Sequence, residues 1–436
     1  MTVTSLGLDG HSPVTGGGLL ALEQRPAGTQ PPPPLHRARG AAARMPGRVT
    51  VGTVRPCYRR DMMRSGAVAL TTLQLPSGAT LPIRDPELVP IADKVLSGGR
   101  VSFEDGMRLF RTPDVPALAA IADAVRADKV GRKAYYVHSL RLSQTNVCYV
   151  GCTFCGFQRK LGEDGVWDMD LEDVWAYVAQ HATPDLIEIH ISSGHHPKRD
   201  WGYYLDLTRG LTERGYQVKA WTAAEIHHFT RIARPKGQRE PVAYRDVLQD
   251  LKDAGLVAMP GGGAEIFAER VRTRIARAKV DAEGWLEVHR TAHELGIPTN
   301  ATMLYGHVET LEERLDHMMR IRTLQDDSPG FMSFVPLAFQ PDNNELAREL
   351  GKHEFTTGID DLRNLAVARI VLDNIPHIKG YWIMITPELV QVSLSGGVSD
   401  VDGTIKDERI AHASGAETDT GISEHELLRL IQDAGR

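Results

Sequence analysis

The chain has 436 residues, 42% of them hydrophobic and 24% charged, enough apolar content for one core of barrel size plus an appendage. Its formal net charge of -6 is small and spread along the chain, which excludes a protein that grips nucleic acid by electrostatics, and no apolar run approaches the length of a membrane span. Of the 4 cysteines three cluster and the other, Cys57, stands alone in an arginine-rich stretch, so a disulfide framework is excluded and a reducing cytoplasm is expected.

Between Met1 and Arg84 ten arginines stand against three acidic residues, and residues 31–34 are all proline. Such a segment cannot bury enough apolar surface to offset its ordering entropy, so residues 1–84 are expected to form a disordered extension. Organelle transit sequences share this composition, but the amphipathic patterning they carry is absent, which favours a start assigned too far upstream, with Met45, Met62 or Met63 as initiator. Residues 85–134 read as a helical leader: Pro86 suits a first turn, Ser102 and Asp105 form a capping box, and DVPALAAIADAVRADKVG has apolar residues at helical spacing.

From residue 135 short apolar runs alternate with helical segments. Strands are expected over 137–143, 186–192, 217–222, 257–259, 297–304, 332–339 and 378–385, with helices over 171–181, 203–214, 244–254, 282–295, 311–325 and 359–372. Recurrence at about 40 residues fits an α/β fold, a (β/α) TIM-type barrel, complete or partial, over 135–390. A helical segment over 391–436 is expected to pack on it. Several strands place polar groups at every second position: Arg141 and Ser143; Glu188, His190 and Ser192; Lys219 and, at the end of its strand, Glu225. Period two puts each set on one face, and charge is tolerable inside a barrel only where it lines a polar, ligand-filled lumen.

The stretch NVCYVGCTFCGFQ follows the first strand, at the barrel mouth where barrel enzymes carry their catalytic loops. Cys148, Cys152 and Cys155 can hold structural zinc, a ferredoxin-type cluster, or a cluster with one iron open. Zinc needs a fourth ligand, and no second pair at zinc-finger spacing follows; a two-cluster ferredoxin needs more cysteines. What remains is a 4Fe-4S cluster with three cysteine ligands and a vacant iron that takes a ligand.

CxxxCxxC with Phe154 before the last cysteine resembles the radical S-adenosylmethionine superfamily. TAAEI (222–226), MPGGGAEIF (259–267), EVHRTAHELGIPTNATMLYGHVET (287–310), FVPLAFQPDNNEL (334–346) and VDGTIKDERIAHASGAE (401–417) are similar to the aminofutalosine (aminodeoxyfutalosine) synthase family of the futalosine route to menaquinone. The resemblance covers residue 85 to the C-terminus. It implies a radical SAM barrel with a 4Fe-4S cluster, S-adenosyl-L-methionine as cosubstrate, and a one-electron donor such as flavodoxin or ferredoxin. It also implies addition of the 5′-deoxyadenosyl radical to 3-[(1-carboxyvinyl)oxy]benzoate, with aryl migration and decarboxylation to 6-amino-6-deoxyfutalosine. Rival readings are a sister radical enzyme, such as cyclic dehypoxanthinyl futalosine synthase or a deazaflavin synthase, and a non-catalytic, zinc-stabilised binding protein.

On this resemblance Phe154, Ser192, Ser193 and Gly194 are expected at the cosubstrate, where SGHHP stands in place of the relatives' GG-x-HP. Glu225 is expected on the ammonium or ribose hydroxyls, with an ion pair to Lys219 as the structural alternative. Gly261 and Gly262 are expected to let backbone approach the adenosyl group. The two substrate carboxylates call for donors such as Arg141, His196 and His307, with Asn300 and Tyr305 at the lumen rim. His289 and His293, spaced i, i+4 without the Glu of HExxH, read as helix-packing residues.

Overall fold

The computed structural model describes residues 4–5, 71–351 and 354–436, so the expectations placed on residues 6–70 lie outside the described part. Residues 71–84 correct the expected disordered extension: Thr71–Gln74 pairs antiparallel with Thr80–Ile83, and Ile83 is buried. Three helices follow, Leu88–Leu96, Phe103–Arg111 and Val115–Val130. Ser102 and Asp105 close a reciprocal capping box on the second helix, satisfying two N–H groups that a helix start leaves orphaned. Leu109, Leu118 and Ile121 are fully buried, and the third helix packs on the barrel helix Gly358–Val371.

The barrel strands are β1 (Tyr135–Val137 and Ser139–Leu142, interrupted at His138), β2 (Glu188–Ile191), β3 (Gln217–Lys219), β4 (Leu256–Ala258), β5 (Thr299–Tyr305), β6 (Phe331–Ala338), β7 (His377–Ile378) and β8 (Asp400–Gly403). β1 to β4 pair in order, as do β5 to β7, all parallel. A parallel bridge between Met259 and Thr299 joins the two sets, and another between Lys379 and Asp400 joins β7 to β8. β8 then pairs with the first half of β1. The circle closes, so the barrel is the complete form.

Two expectations change here. The strand expected over 378–385 is only His377–Ile378; Trp382–Ile385 is a helical turn, because a short apolar run has no period that separates the two states. The segment 391–436 is not merely helical: its DVDG supplies the closing strand, and Gly403 is required there, since a Cβ would stand 1.8 Å from the Val137 carbonyl oxygen. The strand expected over 217–222 stops at Lys219, and Thr222 caps the helix Ala223–Ile232.

Leu140, Leu142, Ile189, Ile191 and Val218 point outward into the helix layer and are at most 1% exposed. Burying each contributes about 1.5–3 kcal/mol. The alternate residues face the lumen at matched heights: Ser139 opposite Glu188, and Arg141, His190 and Lys219 in one row. The inward charges answer one another. Lys379 on the β7 exit lies 2.6 Å from Asp402 and 3.2 Å from Asp400, Arg141 pairs with Asp402, and Lys219 lies 3.8 Å from Glu188. Lys219 and its neighbours hold the Glu188 carboxyl down to about 2 against the opposing effect of burial.

Candidate active site

The cysteine loop leaves the end of β1 and is held by its backbone. Cys148 N–H donates to Arg159 O at 2.9 Å, Thr153 N–H to Ile275 O at 2.9 Å, and Gly156 N–H to Ser414 Oγ at 3.0 Å. At Gly156 a Cβ would stand 2.2 Å from the Ala413 carbonyl oxygen, so the C-terminal HASG stretch clamps the loop only because glycine is there. Gly194, leaving β2, approaches as closely: its Cβ would lie 2.3 Å from Val147 O.

These contacts bring Cys148, Cys152 and Cys155 to one cavity of about 210 Å³ at the barrel mouth. Phe154, Ser192, Ser193, Gly194 and Gly262 line the same cavity, while Gly261 lines its continuation down the lumen. Gly261 again needs its missing side chain, since a Cβ would meet Asn300 O at 2.6 Å. Glu225 takes a different place from the one expected. It is the third residue of its helix, behind the cavity wall, accepting from Thr222 N–H at 2.8 Å and Ser193 N–H at 3.2 Å. Neither the ion pair with Lys219 nor a place on a strand is found. Burial pushes its carboxyl up to about 7, opposed by those two N–H donors.

Of the residues expected at the substrate, Arg141 and Asn300 line the lumen below this cavity. His196, Tyr305 and His307 line neither space and are held by other partners. His196 lies 3.3 Å from Asp168; Tyr305 donates to Asp361 at 2.7 Å; His307 lies 3.1 Å from Glu309 and accepts from Val308 N–H. His289 and His293 both meet Thr299 Oγ1 at 2.9 Å, a packing role. Lys279, missed by the sequence reading, lies in the cysteine cavity. It is ion-paired to Glu265 at 2.6 Å and 5.5 Å from the Phe154 ring centre. Its context, RTRIARAK, reads as solvated charge, and nothing local marks it. Asp402, in the short β8, and Lys379, just past β7, were hidden likewise.

The donor set decides which metal group suits the cavity. A single tetrahedral ion with bonds of about 2.3 Å needs its sulfurs under about 4 Å apart. The three cysteines do not bring their sulfurs within 4.8 Å of one another, whereas the described trio His138, Asp185 and Glu424 does converge to that degree. Burial pushes the Cys152 thiol up to about 12, so thiolates here need a cationic centre to form. Three thiols around an open cavity fit a 4Fe-4S cluster, which Cys148, Cys152 and Cys155 would hold.

A closed (β/α) barrel with CxxxCxxC at its mouth and glycine-lined space beside it defines a radical S-adenosylmethionine enzyme. Residues 142–321 match the Radical SAM superfamily and residues 328–436 the CofH/MqnC C-terminal region. The chain is 67% identical to the aminodeoxyfutalosine synthase of Thermus thermophilus over 356 residues, 81% of this chain and 94% of that one. It is 38% identical to the Streptomyces coelicolor enzyme of the same name (79% and 90% covered) and 34% identical to that organism's cyclic dehypoxanthine futalosine synthase (80% and 86%). Methylornithine synthase shares the fold, with a TM-score of 0.62 at 14% identity over 79% of this chain and 96% of that one. The chain belongs to the aminodeoxyfutalosine synthase family, whose members carry a 4Fe-4S cluster and use S-adenosylmethionine.

Proposed function

We propose that this chain joins the 5′-deoxyadenosyl group of S-adenosylmethionine to 3-[(1-carboxyvinyl)oxy]benzoate and yields 6-amino-6-deoxyfutalosine, a step of menaquinone biosynthesis. The observation that carries the reading is the 67% identity to the Thermus enzyme, set against 34% to the sister synthase. The cluster and cosubstrate, when bound, supply the electron and the adenosyl radical. Every other task falls to the chain.

Cys148, Cys152 and Cys155 hold the cluster. Ser192, Ser193 and Gly194 receive the methionine end beside it, Phe154 packs against it, and Gly261 and Gly262 admit the adenosyl moiety. Glu225 acts through Ser193 as a positioning residue, fixing the turn from behind. Below, Pro260, Val335, Leu337 and Ile410 form an apolar sleeve that excludes water and hydrogen donors from the reacting carbon. Positioning dominates here, because an acceptor double bond held against a reactive carbon needs alignment more than acid or base. The electron donor is a small redox protein of the flavodoxin or ferredoxin kind, and the enzyme works in the cytoplasm; among the described residues no helix is long and apolar enough to cross a membrane.

The test is anaerobic reconstitution followed by mass spectrometry of products, offering this substrate and that of the sister synthase in turn. An adenosyl-substrate product with the first and none with the second is expected. Turnover of the second alone would overturn the assignment.

A further inference from the structure

The lumen continues below the cysteine cavity into a second space of about 170 Å³, and the two share Ser192, Thr222, Gly262, Leu337 and Met384 as walls. The neck between them is mostly apolar, with Leu337, Met384, Ile410 and Ala411, and Ser192 and Thr222 as its polar groups. The far end is polar, with Arg141, His190, Lys379, Asp402 and Glu408, the last accepting from the Ile410 and Ala411 N–H groups. Most of that charge is already answered. Lys379 is held by Asp402 and Asp400, and at the opposite end Lys279 is held by Glu265. Arg141 gives one terminal nitrogen to Asp402, while its Nε–H is buried and meets no acceptor. Among the described residues lining the two spaces, Arg141 is the cation with a buried N–H left over. That Nε–H is closed off from the second space, but the guanidinium lines it, and the fork offers a ligand acceptor there the terminal nitrogen that Asp402 does not take.

Asp402 explains why that guanidinium stays in place. It is a non-glycine residue in left-handed backbone, φ 65°, and its N–H bonds Asp400 Oδ1 at 2.8 Å. Strain of this kind persists where the surroundings over-determine it, and here it turns one carboxylate toward both Arg141 and Lys379. Tyr381 flanks Arg141 on another side, its ring centre 5.8 Å from the guanidinium carbon.

Resting on the reading above, we infer that Arg141, oriented by Asp402, binds the benzoate carboxylate of the substrate. The aryl ring then lies in the apolar neck and the vinyl group reaches the cofactor cavity. The substrate's two carboxylates stand at opposite ends, with ring and ether oxygen between. Were Arg141 to take the enol carboxylate instead, the acceptor carbon beside it would be at the lumen floor, with the ring between it and the cofactor. Anchored at its carboxylate, the ring is the fixed body during aryl migration: the adenosyl group adds to the terminal CH2, and the neighbouring carboxylate-bearing carbon bonds the ring as the ring–oxygen bond breaks, leaving the unpaired electron on that oxygen. The carboxylate that leaves is on the vinyl carbon, at the cofactor-cavity end and away from the floor cations.

The experiment uses the reconstituted holoenzyme with three substrates: the natural one, the analogue lacking the benzoate carboxylate, and the analogue lacking the enol carboxylate. For the unaltered enzyme, loss of the benzoate carboxylate is expected to raise KM about 100-fold. Arg141→Gln is expected to raise KM about 100-fold for the natural substrate and the enol-lacking analogue, but less than about threefold for the benzoate-lacking one. Asp402→Asn follows the same pattern more weakly, with kcat nearly kept, as a positioning residue should. An Arg141→Gln loss equal on all three substrates, or one that vanishes only with the enol-lacking analogue, overturns the inference. If Arg141→Gln fails to fold, the unaltered enzyme's preference between the two analogues decides alone. Failure of the unaltered enzyme to convert the natural substrate would instead strike the functional reading itself.

Discussion

At the scale of single residues, the three cysteines carry the chemistry and Glu225 steadies it. Cys155→Ala is expected to lose the brown 4Fe-4S absorbance after anaerobic reconstitution and, with it, turnover; iron content and product measured together check this, and retained activity would refute the cluster assignment. Glu225 allows a pH prediction. Its carboxyl sits at about 7, and the ionised form is the stronger acceptor for Ser193 N–H. As pH falls through 7 the anchor weakens, so KM for S-adenosylmethionine is expected to rise toward lower pH. Glu225→Gln should start high and stay flat from pH 8 to 6. A Gln variant that keeps the unaltered enzyme's slope would contradict this. CxxxCxxC was legible because its ligands lie within one loop. Glu225 was legible as a polar residue near the site, but not as a helix cap, since three more residues of strand were expected where Trp221 turns the backbone to φ 64°.

At the scale of elements, the closing strand is the weak point of the barrel. β8 is four residues long and pairs with β1 and the exit of β7. Adding a methyl at Gly403 forces it into the Val137 carbonyl, so Gly403→Ala is expected to cost about 3 kcal/mol in urea unfolding. A loss under about 1 kcal/mol would show that the seam can open without penalty. The long helices were legible almost to the residue, Leu171–His181 among them, because capping boxes and amphipathic spacing agree locally. β8 was not. DVDG carries one apolar side chain and two aspartates, and reads as a loop until Arg141 and Lys379 are brought against it.

At the scale of the whole molecule, burial without charge sets the acid limit. Burial holds His190 and His317 neutral down to about 3, and His228 and His377 down to about 4. Below the ordinary histidine value of 6.5 the unfolded chain takes up these protons and the folded chain does not, so stability falls as pH drops from 6.5 toward 4. Glu225 works in the opposite sense between 4.5 and 7, offsetting one of the four. Glu188 contributes stability fully above 4.5, lost only as pH falls toward 2. Urea midpoints measured from pH 7 to 4.5 should therefore decline by the equivalent of at least about 1.4 kcal/mol per pH unit near the lower end. A flat profile would mean that these imidazoles already take protons in the fold.

Taken alone, the amino-acid sequence determined the alternation of strand and helix, the polar lumen and the metal loop, because each is encoded by residues within a turn or two of one another. Only tertiary structure decided that the barrel closes and which polar residues reach the lumen. His196, Tyr305 and His307 share the residue types and strand ends of true lumen residues, and their partners Asp168, Asp361 and Glu309 turned them away. The deciding contacts join residues up to 261 positions apart, as between Arg141 and Asp402, and no local pattern carries the free energy of a pair brought together only by closure.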